Sequence, residues 1–200
     1  MKKPFADFIE TKLELPALVI TCGLPAGFKT GVAEEISKIK GYPILRSDMI
    51  RLEVLKGKDI FDPKVAGNIN NRLAVYEEMF RRANTLAAKG SGVILDATFI
   101  TQELRERAAE IATKNCLAFA IFETSCPQET ALSRIRNRNK EKYESNALTE
   151  EAYWANKSKF EPINIDVIKE KFPALKIVHL TVDTGQCGMT NWVITKEEKR

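Results

Sequence analysis

One histidine, His179, and four cysteines with no CxxC pair leave this 200-residue chain without the ligand spacing of a zinc site. Apolar runs of membrane-spanning length are absent as well. The first ten residues carry Lys2 and Lys3 but are soon interrupted by Asp7 and Glu10, so the apolar stretch of a secretory signal is missing. Internal repeats and Pro/Gly/Ser-rich linkers are also lacking, which predicts one domain over 1–200. Charge of one sign is in short supply: 31 Lys and Arg face 27 Asp and Glu, a net +4 that suits an anionic ligand without demanding nucleic acid. These absences predict a cytoplasmic protein with no membrane contact. Three of the four cysteines stand in or beside apolar runs, and the expectation is buried, reduced thiols.

Hydrophobic residues make up 44% of the chain, enough for a substantial core. Continuous apolar runs at 17–22, 92–96, 117–123 and 175–182, with a shorter one at 42–46, read as five buried strands. Helical patterns lie between them at 29–40, 64–89 and 101–114. Pro127 opens another helix, Thr149 caps a further one, and 166–172 is short. Buried strands alternating with helices predict an α/β fold with a parallel sheet covered on both faces and a ligand at the carboxyl ends of the strands. The tails 1–13 and 185–200 are weakly informative.

The segment Gly23-Leu24-Pro25-Ala26-Gly27-Phe28-Lys29-Thr30 joins the first long strand to a helix. A glycine-rich bend there aims backbone N–H groups and the positive end of a helix dipole at one volume, and Lys29 adds a mobile charge. That volume suits a polyphosphate. Gly23, Lys29 and Thr30 fit G-x-x-x-x-G-K-[ST], while Phe28 holds the second glycine position and Gly27 comes one residue early. A phenylalanine resists positive φ, so Gly27 is expected to absorb part of the distortion.

Three further groups can carry chemistry. Asp48 and Arg51, three apart on a starting helix, can take a proton from a hydroxyl and hold a substrate, or simply form a capping aspartate with an ion pair. Asp96 closes a buried strand, where it can orient magnesium or cap the next helix. Arg134 and Arg138, one helical turn apart in a basic stretch running to Lys142, can cover phosphates or form a solvated face. Arg105 and Arg107 carry less signal. His179 reads as a core histidine, and Tyr153, Trp154 and Phe160 as helix packing.

With GLPAGFKT, LRSDMIR, GVILDATF followed by Arg105, CPQETALSRIRNR and SNALTEEAYWANKSKFEPI in this order, residues 17–163 resemble the predicted P-loop kinases among AAA-type ATP-binding domains. Polynucleotide kinase, zeta toxin and chloramphenicol phosphotransferase are relatives of that group. The resemblance implies a three-layer α/β/α P-loop NTPase fold of nucleoside-kinase type, with a mainly parallel five-stranded sheet, a core over about 15–184 and a helical lid at about 134–150. It implies ATP and Mg2+ as cofactors, with Gly23 through Gly31 around the phosphates and Thr30 and Asp96 at the metal. Lys29 would hold phosphates, Asp48 would be the general base, Arg51 would contact the acceptor or its phosphate, and Arg134 and Arg138 would belong to the lid. Phe28 departs from the family's glycine, and Gly31 stands where serine or threonine is common. The implied function is transfer of the γ-phosphate of ATP to a hydroxyl on a nucleic-acid end, a nucleoside or a small molecule. The alternative is a non-catalytic nucleotide-binding module with a degenerate loop. A dedicated nucleic-acid binder lacks the charge and the aromatic platform.

Overall fold

The computed structural model describes residues 3–13, 16–138 and 149–200. In chain order the elements are β1 (Lys3–Pro4), α1 (Phe5–Lys12), β2 (Ala17–Cys22), α2 (Lys29–Lys40), β3 (Ile44–Arg46) and α3 (Ser47–Val54). There follow α4 (Pro63–Ala66), α5 (Ile69–Ala87), β4 (Val93–Asp96), α6 (Gln102–Lys114), β5 (Ala118–Ser125) and α7 (Gln128–Arg136). The chain continues through α8 (Glu150–Lys157), α9 (Ile165–Lys171), β6 (Ile177–Asp183), a 3-10 turn at Met189–Asn191 and β7 (Val193–Lys199).

The sheet has seven strands in the order β1-β7-β6-β5-β2-β4-β3, where five were expected. The five predicted strands form its parallel part, and β7 and β1 add an antiparallel margin. The reason they escape notice is composition: β7 reads VITKEEK, too charged to stand out as an apolar run, and β1 has two residues. Helix α1 is likewise absent from the sequence reading, although it buries Phe5, Phe8 and Ile9.

All six residues of β2 are buried, as a central parallel strand with both faces covered requires. One face packs Leu18, Ile20, Leu95, Phe119 and Ile121 against α5, α6 and α9. The other packs Val19, Ile94, Ala120 and Phe122 against α1 and α2. Helix α2 ends at Gly41, which takes φ 72° and returns its N–H to the Ser37 carbonyl. The predicted helix at 64–89 is divided: Asn68 interrupts it and caps α5 by accepting from the Asn70 and Asn71 amides.

Cys22 alone among the cysteines is buried; Cys126 is half-buried, and Cys116 and Cys187 are exposed, which corrects the expectation of buried thiols. No helix among the described residues is long and apolar enough to cross a membrane.

Candidate functional site

The carboxyl ends of the parallel strands open into a cavity of about 1980 Å3, walled by the loop after β2, by α3, α5, α7 and α8, and by Cys187 to Met189. Pro25, Ala26 and Phe28 of the loop after β2 line it. The loop's glycines are dictated by contact: a Cβ on Gly23 or Gly27 would lie 2.7 Å from an oxygen of Thr124 on β5. Gly27 does not absorb the distortion as expected. Ala26 at φ 63° and Phe28 at φ 56° carry it, each in a left-handed conformation that costs a non-glycine residue roughly 1–2 kcal/mol.

What offsets that strain is packing around Phe28. Its ring centroid lies 5.8 Å from that of Trp192 and 3.9 Å from the guanidinium carbon of Arg134. Arg134 also donates to the carbonyls of Ala26 at 3.1 Å, Thr184 at 2.8 Å and Gly185 at 3.2 Å. Thr184 Oγ1 donates to the Gly27 carbonyl at 3.1 Å. Trp192 lies flush on α2, where a Cβ on Gly31 would come within 2.7 Å of the indole. A serine or threonine at position 31 would collide with that ring.

Phe28 is the N-cap of α2, and no side chain caps it. The first bond into the helix is Val32 N–H to the Phe28 carbonyl at 3.0 Å, so the amides of Lys29, Thr30 and Gly31 have no partner within α2. They stand at the positive end of its dipole, on the cavity wall. Lys29 Nζ donates to the Leu24 carbonyl at 2.8 Å across the loop. Burial pushes its pKa down; Asp96 and Asp48 pull it back up, and the charge of Arg138 pushes it further down. Leu24, Pro25 and Ala26 complete the bend.

Thr30 Oγ1 donates to Asp96 Oδ2 at 2.6 Å, and Thr21 Oγ1 donates to Asp96 Oδ1 at 2.8 Å. Asp96 caps no helix, because Thr101 caps α6. With the Thr30 proton turned toward Asp96, the hydroxyl oxygen keeps lone pairs for a hard cation. Among the described residues no group of three or more His, Cys, Asp or Glu could hold a metal. One hydroxyl and one carboxylate beside an anion cradle nevertheless fit Mg2+, which keeps waters and phosphate oxygens as its other ligands.

Asp48, in the first turn of α3, is half-buried on the same cavity wall, and the cap residue of that helix is Arg46. Burial raises the pKa of Asp48, Arg51 opposes the rise, and Asp96 adds to it. Arg46 Nε lies 3.8 Å from Asp96 Oδ2, a contact the sequence reading missed; β3 and β4 pair Arg46 directly with Asp96. Thr21, Thr124, Thr184 and Trp192 were also missed, since each meets its partner across a long stretch of chain.

Arg138 lines the cavity, whereas 139–148 of the expected lid, with Lys140 and Lys142, lie outside the described residues. His179 stands away from the cavity as a buried histidine, with Nε2 3.0 Å from Glu123 and Nδ1 3.4 Å from Glu198. Arg105 is wholly buried and donates to the carbonyls of Phe99, Ile100, Glu161 and Pro162. Tyr153 is buried beside Ala26 and Leu132, while Trp154 is exposed.

A family model described as AAA domain matches residues 18–163. An uncharacterized protein of Mycobacterium tuberculosis is 27% identical over 124 residues, 59% of this chain and 25% of that protein. The chain spans about a quarter of the length of the curated relatives it matches. Among solved structures, a gluconokinase from Sinorhizobium meliloti superposes with a TM-score of 0.56 at 16% identity, covering 87% of this chain and 86% of that one. The AvrRxo1-ORF1:-ORF2 complex with ATP gives 0.62 at 14% identity, over 97% of this chain and 61% of that one. At these identities the likeness is one of fold, that of P-loop kinases.

Proposed function

The chain belongs to the AAA domain family, and from that premise we propose an ATP- and magnesium-dependent kinase that transfers a γ-phosphoryl group to a hydroxyl acceptor. The reading takes residues 1–200 as a single P-loop kinase-like domain. Its strongest support is the uncapped start of α2, with Lys29, Thr30 and Asp96 beside it, sharing one cavity with the carboxylate of Asp48.

The residues present fit both groups: free helical amides and an ammonium for phosphates, and a hydroxyl with a carboxylate for the cation. When bound, ATP supplies the phosphoryl group and Mg2+ part of the charge neutralisation. The bend from Gly23 to Gly31 orients the phosphates. Lys29 releases the Leu24 carbonyl and turns its ammonium to them. Asp96 fixes the Thr30 hydroxyl at the cation. Asp48 accepts the acceptor's proton as its oxygen bonds to phosphorus and ADP departs; burial makes this carboxylate a stronger base than a solvated one. Arg51 positions the acceptor, Arg138 adds charge over the phosphates, and Arg134 positions the loop. Catalysis on these terms is placement plus charge neutralisation.

The test is transfer of labelled phosphate from ATP to a panel of hydroxyl acceptors, with ATP affinity measured in parallel. Absence of both overturns the reading. Phe28 favours a second one, a nucleotide-binding module without turnover. Tight ATP binding by the wild type with no transfer, and hydrolysis appearing in Phe28→Gly, would select it.

A further inference from the structure

We propose that Arg46 keeps divalent metal out of the nucleotide-free site, its guanidinium balancing Asp96 until a cation arrives together with phosphates. Arg46 is on these terms a positioning residue, acting on the metal through Asp96. The inference rests on the kinase reading for a cation beside Thr30 and Asp96.

The sheet dictates the contact. β3 and β4 run parallel in register, so Arg46 at the end of β3 stands opposite Asp96 at the end of β4. Arg46 Nε lies 3.8 Å from Asp96 Oδ2, too far for a hydrogen bond, and Nη1 lies 4.0 Å from the exposed carboxylate of Glu34. Nε is shut off from solvent and makes no hydrogen bond among the described residues. A buried donor left in that condition costs stability, and an arginine kept only to strengthen the fold would close on the carboxylate. Asp96 already accepts from two hydroxyls, Thr21 at Oδ1 and Thr30 at Oδ2. What Arg46 supplies to Asp96 is therefore charge without a bond.

That charge decides which form of the metal is admitted. The Asp96 side chain is 6% exposed, and a buried carboxylate stripped of its positive partner draws in cations strongly. Arg46 cancels the attraction, and Lys29, which interacts with Asp96, adds a second positive charge on the same wall. Arg51 is the strongest charge acting on Asp48, the neighbouring carboxylate of that wall. A dication entering by itself thus meets balanced carboxylates with positive charge to spare. Mg2+ carried on a triphosphate brings negative charge with it and keeps phosphate oxygens as ligands. The arrangement selects the metal–nucleotide complex over the free ion.

The test is Mn2+ titrated into nucleotide-free protein, with the free ion followed by electron paramagnetic resonance. Arg46→Gln is expected to take up one ion at least tenfold more tightly than wild type. Adding Asp96→Asn to that variant is expected to abolish the gain, and Arg46→Lys, which restores the charge, to return most of the way to wild type. Loss of a merely structural arginine would not tighten metal binding. Equal Mn2+ affinity in wild type and Arg46→Gln overturns the proposal, as does a gain that survives Asp96→Asn. Should Arg46→Gln not fold, Arg46→Met keeps the aliphatic stem and carries the same expectation. Tight Mn2+ binding by nucleotide-free wild type overturns the proposal without any variant. Calorimetry with ATP and Mg2+ separates the two readings: a wild type that binds ATP but shows no Arg46 effect fails this inference and leaves the kinase reading standing. A wild type that binds no ATP fails the kinase reading, and a tightened Mn2+ site in Arg46→Gln then still supports the role of Arg46.

Discussion

Arg134 lies 3.9 Å from the Phe28 ring and binds the carbonyl of Ala26, so one side chain clamps both left-handed non-glycine residues of the loop after β2. The bulky residue at a position usually left bare is thus the point at which α7 grips the loop.

This clamp predicts how Phe28 variants rank. Phe28→Gly sheds the backbone strain and the ring contacts together, terms of about 1–2 and 0.5–2 kcal/mol that nearly cancel. Phe28→Val keeps a Cβ-branched residue at positive φ and loses the ring, and is expected to be less stable than Phe28→Gly by about 1–2 kcal/mol. Urea unfolding measures both; a valine variant at least as stable as the glycine variant removes the strain argument.

Binding and chemistry should separate between two residues. Lys29→Ala is expected to abolish transfer and weaken ATP at least tenfold, since it removes the ammonium that the bend itself carries. Asp48→Asn is expected to lose transfer by a hundredfold or more with ATP affinity nearly intact. Calorimetry and a phosphate-transfer assay check the pair. An Asp48→Asn enzyme at full rate removes that residue from the mechanism.

Asp48 also predicts a pH dependence. Burial raises its folded pKa above the unfolded value, so the native state binds the proton more tightly and stability falls as pH rises between the two values. Asp48→Asn removes that loss. The variant should therefore gain stability over wild type above the window and converge with it below, in chemical denaturation followed across acidic to neutral pH. A difference independent of pH excludes the assignment.

Arg105 is predicted to be structural. It donates to four backbone carbonyls, from Phe99 to Pro162, and Arg105→Met removes these buried bonds at a cost of about 3 kcal/mol or more. Arg105→Lys should recover only part, because one ammonium cannot span the fork. Thermal denaturation reads both.

The sequence made the parallel half of this fold visible because buried strands such as β2 are unbroken apolar runs and α2 ends at Gly41. It also placed Lys29, Thr30 and Asp96 in segments that the sheet brings within hydrogen-bonding reach. The antiparallel margin stayed hidden, since β7 is rich in charge and its partners are fixed only by pairing with β6. Phe28 was illegible for the same reason. Its two neighbours come from α7 and from the approach to β7, more than a hundred residues along the chain, and no local pattern announces such contacts.

Trp192 joins distant parts of the molecule: its carbonyl receives the Phe5 amide at 3.1 Å, its indole covers Gly31 and touches Phe28, and it leads into β7. Detaching that outer strand from β6 withdraws the indole and leaves the clamp with one jaw. Whatever pulls on the border of the sheet therefore tugs on the start of α2 and the bend before it.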